Sequence, residues 1–349
     1  MSTIASIGTS LPQYTLSQPE AKQFIRPFVS DSLTKYLSVF DESGIDHRYF
    51  AADREWLTED HGFKDRQTLF ESEGVVLAVK AVEHCLAGWD DLNLNAIITV
   101  TSTGVLTPSL DVNLMNRLHL SPSLKRMPLF GLGCAGGAAG LSRAYDYLTA
   151  HPDQAVLLVC CELASTAFHP QNITIKDIVG SAIFSDGAAA VLLMGDEHLQ
   201  LNRIPSPKLK IRATDSNILP DSMDIMGWNI EDNGFHVVFS RRIPSIVSSF
   251  WQQHVTDCLS AQHTSVDQLD FAMIHPGGRK ILDEIQRITS FDSSINHARE
   301  VLRQYGNMSS ATVLFVLRAM VNTLKQSQQG ILTALGPGFA SELVLLEVE

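Results

Sequence analysis

Gly131-Leu132-Gly133-Cys134-Ala135-Gly136-Gly137 and, about 174 residues further on, Tyr305-Gly306-Asn307-Met308-Ser309-Ser310 each set one chemically useful side chain among small residues. A helical pattern follows each stretch, over residues 138–150 and 309–325. The surroundings repeat as well. The apolar run 96–100 leads into a Ser/Thr/Gly loop, and Phe271–Ile274 leads into His275-Pro276-Gly277-Gly278. Run 155–160 follows the first helix and run 330–335 the second. Run 188–194 then matches 343–346. The first three pairs share the offset of about 174 residues and the fourth is shorter, so the second half lacks an insertion. Residue identity between the halves is poor; what repeats is architecture.

Unbroken apolar runs of this length suit strands buried on both faces. They alternate with helical patterns at 71–87, 138–150, 243–260 and 309–325, which predicts an α/β protein. Gly195-Asp196-Glu197 ends a strand, which predicts two halves, 1–200 with the cysteine and 201–349 with the histidine and asparagine. Halves built alike would bring Cys134 from one beside His275 and Asn307 from the other.

The chain has 349 residues, 45% of them hydrophobic and 18% charged, enough for a large core. Its net charge of -12 excludes a general nucleic-acid binder, which needs a basic face. Five cysteines with no CxxC pair form neither a disulfide framework nor a zinc site, and imply a reducing cytoplasm. The first twelve residues lack the pattern of a signal peptide. No apolar run approaches the roughly 20 residues of a membrane span.

Cys134 lies where a strand turns sharply into a helix, similar in logic to a hydrolase nucleophile elbow. A helix N-terminus favours thiolate, the attacking species. A free cysteine is also a common core filler, and the local pattern leaves both readings open. Cys85, Cys160, Cys161 and Cys258 fall inside helix or strand patterns and read as core. His275 stands at the C-terminal end of a buried strand, where catalytic groups collect in α/β sheets; a buried histidine satisfied by backbone is the alternative. Asn307 taken alone reads as a helix N-cap.

Taken together, these motifs resemble the type III polyketide synthases, the chalcone synthase-like branch of the thiolase superfamily, over most of the chain. Gly133–137 is similar to the family's nucleophile motif, Ile274-His275-Pro276-Gly277-Gly278 to its histidine motif, and Tyr305–Ser310 to its asparagine motif. Ile183-Phe184-Ser185-Asp186-Gly187 matches the segment with a phenylalanine at the active-site mouth, and Gly336-Pro337-Gly338 the C-terminal loop. Initiating ketoacyl synthases share the trio, but carry His-Gln-Ala where this chain has His275-Pro276-Gly277.

The resemblance implies a five-layered αβαβα thiolase-like fold, a homodimer, and acyl-CoA and malonyl-CoA as substrates with no metal or redox cofactor. It implies that Cys134 carries the acyl chain while His275 and Asn307 stabilise the enolate. Phe184, Thr103, Thr107 and Val237 then fall at the gate and pocket. Lys35 is the first candidate for CoA phosphates. Arg48, Arg279 and Lys280 are further ones, with Gly277, Gly278 and Ser309 nearby. Ser38 and Glu42 stand where plant members are basic. Thr107, Val237 and Leu335 replace a methionine and two phenylalanines of plant members. The bacterial branch that resembles this pattern makes alkylpyrones or alkylresorcinols, so a medium- or long-chain fatty acyl starter is expected. Two rival functions stay open: a 3-ketoacyl synthase that condenses once, and a catalytically silent acyl-CoA-binding protein.

Overall fold

The computed structural model describes residues 1–171, 173–289 and 291–349. Its strands are β1 (Ser2–Ser10), β2 (Tyr14–Ser17), β3 (His47–Phe50), β4 (Ala96–Thr101), β5 (Lys125–Phe130), β6 (Ala155–Leu163) and β7 (Asp186–Gly195). Then follow β8 (Leu209–Ile218), β9 (Met226–Glu231), β10 (Gly234–Phe239), β11 (Phe271–Ile274), β12 (Gln329–Gly336) and β13 (Ala340–Val348). Nine of them form one sheet in the order β11-β12-β13-β8-β1-β7-β6-β4-β5.

That sheet is two half-sheets laid edge to edge. In the first, β4 and β6 are parallel, and β7 and β1 continue antiparallel. In the second, β11 and β12 are parallel, and β13 and β8 continue antiparallel. The run 4-6-7-1 therefore matches 11-12-13-8, and β5 has no counterpart. Among the described residues, the ladder between β1 and β8 that joins the half-sheets is two residue pairs long, Ser2–Ile211 and Thr3–Lys210.

Helices Gly136–Ala150 and Thr312–Val321 touch each other and strands of both half-sheets, so they form a middle layer. Helix Val75–Leu86 covers β1 and β7 on one outer face, and helix Asp292–Tyr305 covers β11 on the other. The layers run αβαβα, as the resemblance implied. This sandwiching explains the apolar runs: every residue of β4, β6 and β7 is buried. The central helices begin with small residues because their starts nearly touch. A Cβ on Gly137 would come within 2.4 Å of the Ser310 carbonyl oxygen and 2.6 Å of Val313 Cγ1.

The structure departs from the sequence reading in several elements. β1 is polar, with Ser2 and Thr3 fully buried, and β8 loses burial towards Ile218, so neither has an apolar run. The pattern at 71–87 opens as a π turn, Phe70–Gly74, before helix Val75–Leu86. The pattern at 309–325 is a turn, Ser309–Ala311, and then a helix that stops at Val321. No helix among the described residues is long and apolar enough to cross a membrane.

Candidate active site

Cys134 occupies a tight turn, Gly133–Ala135, that opens helix Gly136–Ala150. Gly133 has φ +48°, a left-handed value that suits glycine. A Cβ there would also lie 2.6 Å from the Pro337 ring. The Gly133 N–H donates to Ser102 Oγ at 2.7 Å, which ties the turn to the loop after β4. The thiol is 9% exposed.

Asn307 arrives from the matching turn of the second half. Its Oδ1 accepts the Ser309 N–H at 2.9 Å and the Thr312 hydroxyl at 3.4 Å. Nδ2 donates to the Gly277 carbonyl at 3.2 Å, and both Nδ2 and Oδ1 lie 3.8 Å from Cys134 Sγ. The same amide thus ties the turn and faces the thiol. His275 follows β11, and its backbone N–H donates to the Thr333 carbonyl at 2.9 Å. It is buried, and neither ring nitrogen has a partner among the described residues.

Cys134, His275 and Asn307 line one cavity, walled by Phe239, Trp251, Ile281 and Leu335. Burial pushes the Cys134 thiol up to about 11, against weaker help from Asn307 and Ser309. Burial also pulls His275 down to about 3. The apolar surround thus disfavours either charge alone.

Two family models match the chain: chalcone and stilbene synthases, N-terminal domain, over residues 1–197, and the C-terminal domain over 210–348. The chain belongs to the chalcone and stilbene synthase family. It is an acyltransferase of the type III polyketide synthase class, whose members condense malonyl-CoA with acyl-CoA substrates. A putative chalcone synthase of Bacillus subtilis is 37% identical over all of this chain and 99% of its own. A 1,3,6,8-tetrahydroxynaphthalene synthase of Streptomyces peucetius subsp. caesius is 31% identical over 99% of this chain and 92% of its own. The alpha-pyrone synthesis polyketide synthase-like Pks18 of Mycobacterium tuberculosis is 29% identical over 100% and 91%. Among solved structures, PKS-I of the brown alga Ectocarpus siliculosus superposes with a TM-score of 0.91, at 26% identity over 100% of this chain and 98% of that one.

In this type III synthase, Phe184 and Val237 line a second cavity, formed with Leu16, Phe24, Arg48, Phe50 and Ala167. The Phe184 ring stacks on Phe239 at 5.7 Å and meets Trp228 at 5.4 Å. Since Phe239 lines the first cavity, these rings stand between the two. Lys35, Arg279 and Lys280 are exposed. Arg279 packs beside Gly44, which joins its helix to the loop after Ser38–Glu42.

Three expected positions differ. Arg48 is no surface cation: it is 3% exposed, with its guanidinium engaged by internal acceptors. Thr103 lines neither of these cavities; its hydroxyl donates to Glu162 at 2.7 Å and accepts the Leu163 N–H at 3.0 Å. Ser309 is buried beside Asn307. Thr107 is exposed. Gly277 lines the thiol cavity, whereas Gly278 caps helix Arg279–Ile288.

Sequence reasoning passed over Glu162. Its fully buried carboxylate accepts from the Ser102 N–H, the Thr103 hydroxyl and the Ser310 hydroxyl. Burial raises it to about 7. An acid closing a run as apolar as Ala155–Leu163 was the available signal. Trp228 and Phe239, on the β9–β10 hairpin, were missed for want of any motif.

Proposed function

We propose that this synthase condenses malonyl-CoA iteratively onto a medium- or long-chain fatty acyl starter held as a thioester on Cys134, giving alkylpyrone- or resorcinol-type products. The observation that carries this reading is the second cavity. It is lined mainly by apolar side chains, among them Leu16, Phe24, Ile25 and Phe50, and the stacked Phe184 and Phe239 rings stand between it and the thiol cavity. An alkyl chain matches that apolar part of the lining.

The steps balance without a metal or redox cofactor. His275 takes the thiol proton as Sγ attacks the acyl-CoA carbonyl, and the departing CoA thiolate recovers it. Malonyl-CoA then loses carbon dioxide, leaving an enolate. Its oxygen faces the second Nδ2 hydrogen of Asn307 and the His275 ring, preorganised donors of the oxyanion-hole kind. The enolate carbon attacks the acyl thioester, the Cys134 thiolate leaves, and the chain is two carbons longer. Lys35, Arg279 and Lys280 receive the CoA phosphates. A homodimer belongs to this reading: Val105 and Phe130, 44% and 50% exposed, flank the β4–β5 edge beside Thr107 and suit cover by a second copy.

Incubation with labelled malonyl-CoA and a panel of acyl-CoA starters, with products identified by mass, tests the proposal. Triketide or tetraketide pyrones or resorcinols from fatty starters support it. A single 3-ketoacyl product, or turnover with short starters only, overturns it. Cys134→Ala is expected to form no acyl-enzyme.

A further inference from the structure

Arg48 takes no part in the bond-making steps above, although it lines the second cavity, and it is one of the most enclosed charges in the molecule. It lies on β3, and its Nε donates to Gln18 Oε1 at 3.0 Å. A terminal nitrogen donates to the Phe184 carbonyl at 3.3 Å. The guanidinium sits over the Phe40 and Phe50 rings at 5.7 and 5.3 Å, and Asp186 supplies the opposing charge. Gln18 is itself held, donating to Ser43 Oγ at 2.8 Å and the Ala182 carbonyl at 2.6 Å.

The other end of this arrangement is the catalytic loop. Phe184 and Asn307 face each other in an isolated parallel bridge. The Asn307 N–H donates to the Ile183 carbonyl at 2.8 Å and the Ser185 N–H to the Asn307 carbonyl at 2.9 Å. The Arg48 stem also packs on this loop: a Cβ on Gly306 would lie 3.0 Å from Arg48 Cγ. One side chain therefore grips both strands of the bridge, from Phe184 on one side and Gly306 on the other.

We infer that Arg48 is a positioning residue, a strut that fixes the Phe184–Asn307 bridge against the N-terminal layer and so sets where the Asn307 amide points. The role rests on the enolate-stabilising function proposed for Asn307. It needs Arg rather than Lys, because a planar fork reaches two acceptors in fixed directions and an ammonium does not. Gln18 and Phe40 flank the segment that carries Lys35, so the strut also links the CoA side of the protein to the amide.

Two readouts separate positioning from bulk stability. Malonyl-CoA decarboxylation, followed without a starter, depends on Asn307. Alkylation of Cys134 by iodoacetamide, followed by mass, depends on it only weakly, because burial outweighs the Asn307 contribution at the thiol. Arg48→Met is expected to lower decarboxylation kcat by about tenfold to a hundredfold, the cost of a misplaced group. The KM for malonyl-CoA and the alkylation rate should stay within about twofold of wild type. Arg48→Lys should not restore kcat. If Arg48→Met does not fold, Gln18→Leu, which leaves the charge in place, is expected to show the same split. Equal loss of both readouts, loss of neither, or full recovery in Arg48→Lys overturns the role. A wild-type chain that releases no carbon dioxide overturns the proposed reaction, and the role with it.

Discussion

Asn307 shows how a single residue serves folding and chemistry at once. Its oxygen accepts the Ser309 N–H and so ties the turn that starts the central helix, while the amide as a whole sits 3.8 Å from Cys134 Sγ. His275 has the opposite character: among the described residues no group holds its ring nitrogens. It lines the same cavity as a thiol that burial pushes up to about 11, and is the base proposed to take that proton. His275→Ala should therefore slow iodoacetamide alkylation of Cys134 at pH 7 by on the order of tenfold or more, with reactivity returning only towards high pH. Equal rates at pH 7 would remove His275 as the partner. Cys134, His275 and Asn307 were legible because each punctuates the end of an element, where motif and geometry coincide. Arg48, Thr103, Ser309 and Glu162 were not. Arg48 and Glu162 depend on partners more than a hundred residues away, Phe184 and Ser310, and Thr103 on Glu162, 59 residues on.

Among the elements, the strands buried on both faces were readable from their apolar runs, since both faces meet a helix layer. β1 and β8 were not readable, because they lie where the half-sheets meet and are built partly of polar residues. The hairpin β9–β10 was also unread, although it delivers Val237 to one cavity and Phe239 to the other. Its position gives a size test: Val237→Phe should shorten the longest acyl-CoA starter accepted, seen as loss of the longest-chain products by mass, while short starters still turn over. The central helices give a packing test. Gly137→Ala sets a methyl 2.4 Å from a backbone oxygen that has no room to retreat. Overpacking of this kind costs about 1–3 kcal/mol, measurable as a lower urea midpoint.

At the scale of the molecule, Glu162 stands at the meeting of the halves, bonded to Ser102 and Thr103 from one and Ser310 from the other. Its carboxyl is raised from 4.5 to about 7. The folded chain therefore holds this proton more tightly than the unfolded chain. The resulting stability is fully present below pH 4.5 and is lost as pH rises through about 7. At 1.36 kcal/mol per unit the loss amounts to about 3 kcal/mol. Glu162→Gln cannot ionise, so its unfolding free energy should fall less than that of wild type between pH 5 and pH 8. Parallel pH profiles for the two proteins would refute this.

The thiol belongs to the first half-sheet, while the imidazole and the amide belong to the second, and the cavity exists only where they meet. Catalysis is therefore a coincidence detector for the two pieces of chain. Severing the backbone between β7 and β8, in the stretch where Leu199 is 94% exposed, should give two fragments that are each inert towards malonyl-CoA. Produced together, they should recover carbon dioxide release in proportion to the complex formed. That would make the reaction itself a gauge of fragment complementation.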